Sequence, residues 1–134
     1  MAEWQRSPSI SIQPIPIHFT PMSQVITLNL PDGSVQASFS APAAQALKTD
    51  LDGLIAQMKA ASTAGSPRRQ PMPPLEYRHS GDVFLEVFCN PNLWASPFAA
   101  KVLITLRDDR IRITTETGLS QLYDDLTTYL ERLA

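Results

Sequence analysis

A single cysteine, Cys89, excludes an intrachain disulfide and any zinc site built from a cysteine cluster. Glycine is scarce, five among 134 residues. None falls in a G-x-x-x-x-G-K-S/T or G-x-G-x-x-G pattern, so no phosphate-cradling loop is expected. There are only two histidines, His18 and His79, and no metal-spaced cluster, so neither a metal nor a cofactor is expected. Neither sign of charge dominates: eleven basic against thirteen acidic residues give a net charge of −2. A general nucleic-acid binder usually carries a basic excess gathered on one face, and this balance argues against one. No stretch reaches about 18 uninterrupted apolar residues. The richest, "PFAAKVLITL", is broken by Lys101, and "MAEWQRSPSI" lacks the apolar run of a signal peptide. A cytoplasmic protein without a transmembrane segment is the expectation.

What is present is enough for one core. The hydrophobic share is 43%, ordinary for a globular chain, and a chain of this length buries about two-thirds of its unfolded surface. Residues 1–23 carry Pro8, Pro14, Pro16 and Pro21. Proline cannot donate to a strand ladder, so this stretch reads as an arm or edge strand. A single α+β domain over 24–134 follows. Within it, 24–60 form a hairpin and helix. "SQVITLNLPDGSVQASFS" alternates strictly, and an Asp32-Gly33 turn puts Leu30 opposite Val35, Leu28 opposite Ala37 and Ile26 opposite Phe39. Ser40 is a natural N-cap with Pro42 in the first turn. Leu47, Leu51, Leu54, Ile55 and Met58 then recur at helical spacing.

"STAGSPRRQPMPP", residues 62–74, has the composition of a flexible linker. Its R-x-x-P-x-x-P letters (Arg68, Pro71, Pro74) match polyproline ligands, but any proline-rich spacer supplies such matches by chance. Residues 76–134 follow as strand, hairpin and helix. "GDVFLEVF" alternates with Val83, Leu85 and Val87 on one side. "VLITLRDDRIRITTE" turns at Asp108-Asp109, placing Leu106 opposite Ile111, Ile104 opposite Ile113 and Val102 opposite Thr115. Thr117 can cap a last helix striped by Leu119, Leu122, Leu126, Tyr129, Leu130 and Leu133. The two hairpin–helix units match at an offset of about 76 residues, which duplication or one pattern used twice explains equally well. Both hairpins keep apolar side chains on a single face. The predicted architecture is therefore two-layer α+β: an antiparallel sheet of about five strands with two helices on one face. The element order also suits a longin- or profilin-like sandwich, which the polar sheet face speaks against.

Convergent chemistry is thin. His79, Asp82 and Cys89 suggest base, orienter and nucleophile, but an extended strand separates Asp82 from Cys89 by about 23 Å at roughly 3.3 Å per residue. Asp108-Asp109 fills a turn that favours acidic residues anyway. Asp124 and Asp125 read as solvated. A catalytic role is not expected, and a small hydrolase ranks last. The polar face of the second hairpin has more to say. Arg107, Arg110 and Arg112 crowd one side, where like charges opposite each other are unfavourable unless an anionic group meets them. Phe84 and Phe88 lie on the side of their strand away from Leu85. With Trp94 in the loop from Asn90 to Phe98, these are the residue types enriched at the centre of protein interfaces. The expectation is a non-enzymatic interaction module, an accessory or assembly factor, binding a protein partner through Arg107, Arg110, Arg112, Phe84, Phe88 and Trp94. The alternative is a single-stranded nucleic-acid binder using the same Arg/Phe platform. A homodimer and peripheral attachment to a membrane through a partner are both compatible with these features.

The segment "SGDVFLEVFCNPNLWASPFAAKVLITLRDDRIRITTE" resembles small cyanobacterial proteins of unassigned function. The resemblance covers the second half of the chain only. It implies an accessory protein of a photosynthetic cell, in the cytoplasm or peripheral at the thylakoid surface, and assigns no residue a role.

Overall fold

The computed structural model describes residues 24–63 and 71–134. The proline-rich arm (1–23) and the central part of the expected linker lie outside them. The order is β1 (Val25–Leu30), β2 (Gly33–Ser38), α1 (Ala41–Thr63), β3 (Leu75–Ser80), β4 (Phe84–Cys89), β5 (Lys101–Arg107), β6 (Arg112–Gly118) and α2 (Leu119–Leu133), with a 3-10 turn at Pro91–Leu93 between β4 and β5. The class is α+β, as expected. Among the described residues the strands number six rather than about five. They form two antiparallel sheets, β1-β2 and β3-β4-β5-β6, instead of one. The extra strand is β3, "LEYRHS". It alternates as a strand should, but of its inward residues Leu75, Tyr77 and His79 only the first is aliphatic, and three prolines stand just before it. Pro71–Pro74 lead into it and are tied to the β4–β5 loop. The Met72 N–H donates to Asn92 Oδ1 at 2.9 Å, and Asn92 Nδ2 donates to the Met72 carbonyl at 2.8 Å.

Both hairpins slip by two residues from the predicted register. The first turns at Pro31-Asp32, so Leu30 opposes Gly33, Leu28 opposes Val35 and Ile26 opposes Ala37. Proline's ring-locked φ suits the first central position of a turn, and its missing N–H makes it a poor ladder residue. The second hairpin closes through a four-residue loop, Asp108 to Ile111, so Arg107 opposes Arg112, Leu106 opposes Ile113 and Ile104 opposes Thr115. The Asp108 carboxylate makes that loop by accepting the backbone N–H groups of Arg110 and Ile111, both at 2.8 Å, while its own N–H donates to the Ile111 carbonyl at 3.0 Å. A shift of two leaves every side chain on its predicted face, so the layer arrangement survives. The repeat does not survive at the turns: Val35 is paired and half-buried, whereas Ile111 sits in the loop, 61% exposed.

The core lies between the helices and one face of the sheets. Leu47, Leu51, Leu54 and Met58 from α1, with Leu119, Leu122, Leu126 and Tyr129 from α2, pack on Leu85, Val87, Val102, Ile104 and Leu106. Ile26 and Leu28 of β1 complete it. The helices lie against each other, with α2 along β1 and β6 and α1 along β3. Ser40 caps α1 as predicted, its Oγ accepting from the Ala43 N–H at 3.2 Å. Thr117 does not cap α2. Gly118 holds the N-cap position, and the Thr117 hydroxyl donates instead to the Asn29 carbonyl at 3.3 Å, joining β6 to β1. Asp125 is also corrected. It is buried, not solvated, and accepts from the Asn29 N–H (2.8 Å), Asn29 Nδ2 (2.8 Å) and Gln121 Nε2 (2.9 Å). Tyr77 donates to the Ala43 carbonyl at 3.0 Å and Tyr129 to the Phe39 carbonyl, so each layer is pinned to the other by a buried hydroxyl.

Candidate functional site

Among the described residues no helix lies over the outward face of the four-stranded sheet, and its register sorts it into rows. One end row runs Ser80, Phe84, Arg107, Arg112 across β3 to β6. The middle row runs Arg78, Glu86, Thr105, Thr114, and the other end row runs Glu76, Phe88, Leu103, Glu116. The Arg107 guanidinium lies over the Phe84 ring, 4.4 Å from its centroid. Such stacking spreads a cation over an aromatic face and lets Arg107 stand beside Arg112 despite their like charge. In the middle row, Arg78 Nε donates to Glu86 Oε2 at 2.8 Å and its guanidinium also approaches Glu76 Oε1 at 3.9 Å. Thr105 beside them is buried although it points outward. In the last row Phe88 and Leu103 are 38% and 42% exposed, an apolar pair between two carboxylates.

The expected site residues are therefore only partly gathered. Phe84, Arg107 and Arg112 share one row. Phe88 lies four residues along β4 from Phe84, about 13 Å at roughly 3.3 Å per residue. Arg110 stands in the Asp108 to Ile111 loop, off the sheet face. Trp94 follows the 3-10 turn, is half-buried and packs against the core rather than joining the open face. The exposed apolar residues of that loop are Leu93, at 70%, and Phe98, at 85%, and Phe98 borders a groove of about 500 Å³ between the two helices, with Ile55, Pro97 and Tyr123. Glu76, Glu116 and Leu103 were missed as site residues. Leu103 carried the signal, a leucine at an outward position of an alternating strand; the carboxylates acquire meaning only once the register is known.

The reactive triad imagined from sequence does not assemble. His79 stacks edge-on against Phe39, ring centroids 5.5 Å apart. Its β3 position is four residues from Leu75, the register partner of Cys89, so imidazole and thiol lie about 13 Å apart along the sheet. Burial pushes the Cys89 thiol up to about 11, the opposite of what a nucleophile needs. Asp108 is held below the ordinary carboxylate range by the N–H groups of Arg110 and Ile111, which makes it a loop-builder. Among the described residues no group of His, Cys, Asp or Glu is placed to hold a metal ion, and no helix is long and apolar enough to cross a membrane. Comparisons with protein-family models, curated proteins and solved structures find no match for the chain.

Proposed function

We propose that the protein is a non-enzymatic interaction module, an accessory or assembly factor that binds a protein partner through the open face of its four-stranded sheet. The observation that carries this reading is the face itself: Phe88 and Leu103 stand exposed there, ringed by charges of both signs. An exposed apolar pair flanked by charged residues is the mix of apolar contact and polar rim from which protein interfaces are built. Single-stranded nucleic acid fits less well. The face of Phe84 is already covered by Arg107, and Phe88 stands between Glu76 and Leu103, next along its strand to Glu86. A base stacked on Phe88 brings its phosphates toward carboxylates. The resemblance to small cyanobacterial proteins extends the proposal to an accessory role in the cytoplasm of a photosynthetic cell or at its thylakoid surface.

The test is capture from native extract with the wild-type chain and with the Arg107→Ala, Arg112→Ala double variant as baits, each with and without nuclease. Proteins retained by wild type, insensitive to nuclease and depleted on the variant, support the reading. Capture abolished by nuclease transfers it to nucleic acid, and equal capture by both baits removes the open face from consideration.

A further inference from the structure

The outward face of β6 carries a cation, Arg112, at one end and a carboxylate, Glu116, at the other. The three rows of the open face are spaced evenly along the strands, with the middle row at Arg78, Glu86, Thr105 and Thr114. Consider a second copy laid face to face on the first, related by a two-fold axis that runs along that middle row. The rotation exchanges the two end rows and keeps each strand over its own counterpart. Residues equidistant from the middle row on one strand then meet. On β6, Arg112 meets Glu116 of the other copy; on β4, Phe84 meets Phe88; on β5, Arg107 meets Leu103. Lys101, at the far end of β5, reaches the level of the acidic Asp108-Asp109 turn. The like-charged contacts fall on the axis itself, Arg78 and Glu86 against their own copies. Those two are already joined within the chain at 2.8 Å, so they bring little net charge to the centre.

The competing two-fold axis, parallel to the strands, turns each row end for end onto itself, so that Arg112 meets Ser80, Arg107 meets Phe84, Phe88 meets Leu103, and Glu76 meets Glu116 twice with no ion pair gained. Like-charge juxtaposition disfavours it. We infer that the occupant of the open sheet face is a second copy of this chain, docked antiparallel in an isologous sheet-on-sheet dimer. Phe84, with Arg107 over its ring, comes opposite Phe88, and Arg112 pairs with Glu116, each twice. This rests on the reading that the open face is a protein-binding surface and names its partner. A patch four strands wide and about six residues long measures roughly 19 by 20 Å, about 400 Å² per copy, below the ~800 Å² per partner of a standard stable interface and in the range of weak, transient ones. The dimer is therefore a weak one, forming at micromolar concentrations and loosening with salt.

The experiment is sedimentation equilibrium of the full chain over a concentration series, at two ionic strengths. It takes wild type, Arg112→Glu, Glu116→Arg and an equimolar mixture of the two variants. Wild type is expected to dimerise. Each variant alone is expected to dissociate at least tenfold more readily, because each places like charges in both inter-chain contacts. The mixture is expected to recover wild-type association as a heterodimer, since both contacts are again of opposite sign; this recovery also shows that the variants are folded. A wild-type chain monomeric throughout the series overturns the inference, while leaving the open-face reading to the capture experiment, which scores other partners. Dimerisation indifferent to both charge reversals, or a mixture no tighter than its components, overturns it equally by placing the contact elsewhere.

Discussion

Replacing Asp125 by alanine tests whether one buried carboxylate fastens the first hairpin to the last helix. Asp125 is 7% exposed and accepts three hydrogen bonds, at 2.8, 2.8 and 2.9 Å. They are not equivalent. Gln121 is exposed and turns to water at little cost, and the Asn29 side chain can also find water. The Asn29 backbone N–H cannot move, since β1 holds it against α2. Hydrogen bonds to charged groups contribute about 1.5–3 kcal/mol, and stranding a buried donor costs a similar amount. The expected loss is therefore about 2–4 kcal/mol, a fall in Tm of roughly 6–20 °C for a chain of this size. Asn29→Ala removes only the Nδ2 bond and should cost about 1 kcal/mol. Asp125→Asn should fall between, because its amide oxygen keeps the N–H bond while its NH₂ faces another donor. Urea unfolding of the three variants, read as a midpoint shift at constant m, measures the series. A midpoint unmoved by Asp125→Ala, or Asn29→Ala costing more than Asp125→Ala, refutes the assignment.

Leu126, fully buried in the core, should cost about 2–5 kcal/mol on replacement by alanine; a thermal midpoint that stays put is the contrary result. The Cys89 thiol, raised to about 11 by burial, should resist a thiol reagent at pH 8 in the folded chain and react on unfolding. Because its folded value is raised, its contribution to stability is complete below the unfolded value near 8.5 and is lost as pH climbs toward 11. Cys89→Ala should flatten that alkaline decline, and an identical decline in the variant counts against it. Asp108 carries the opposite sign. Its lowered carboxyl supports the loop above about 3.9 and releases it as pH falls through the depressed folded value. The Arg110 and Ile111 amide resonances should titrate with a midpoint below about 3.9; a midpoint at or above it means the two hydrogen bonds contribute nothing in solution.

Period-2 and period-3.6 patterning made the layers legible. Both hairpins, both helices and the inward faces of β4 and β5 were readable because each buries a regular stripe of Ile, Leu and Val. What escaped was whatever apolar periodicity does not encode. β3 pairs through Glu76, Tyr77, Arg78 and His79, a mixed pattern beside prolines. Asp125 lies on the same helical face as Leu122 and Tyr129, and an acidic letter there reads as surface until a backbone N–H is known to point at it. Trp94 looked like an interface anchor because the sequence offers no way to tell a half-buried tryptophan on the core from an exposed one. The division into two sheets follows from how β1 meets β6, through the Thr117 hydroxyl and the Asn29 carbonyl, a contact between residues far apart in the chain.

The register is where a small error changes the functional argument most. With the turn expected at Asp108-Asp109, Arg107 faces Arg110, and Lys101 stands opposite Glu116. Lysine and glutamate then neutralise each other within the chain, and the β6 end of the sheet carries no net charge. The Asp108 carboxylate, by capturing two backbone N–H groups, lengthens the loop to four residues and moves β6 by two. Every side chain keeps its face, so the core cannot distinguish the two registers. The open face can. The observed pairing sets Glu116 beside Leu103, leaves Lys101 opposite Gly118, and brings Arg112 next to Arg107. Cations are thereby gathered at one end of β6 and a carboxylate at the other. A turn residue thus determines which charges are satisfied within the chain and which remain for a partner.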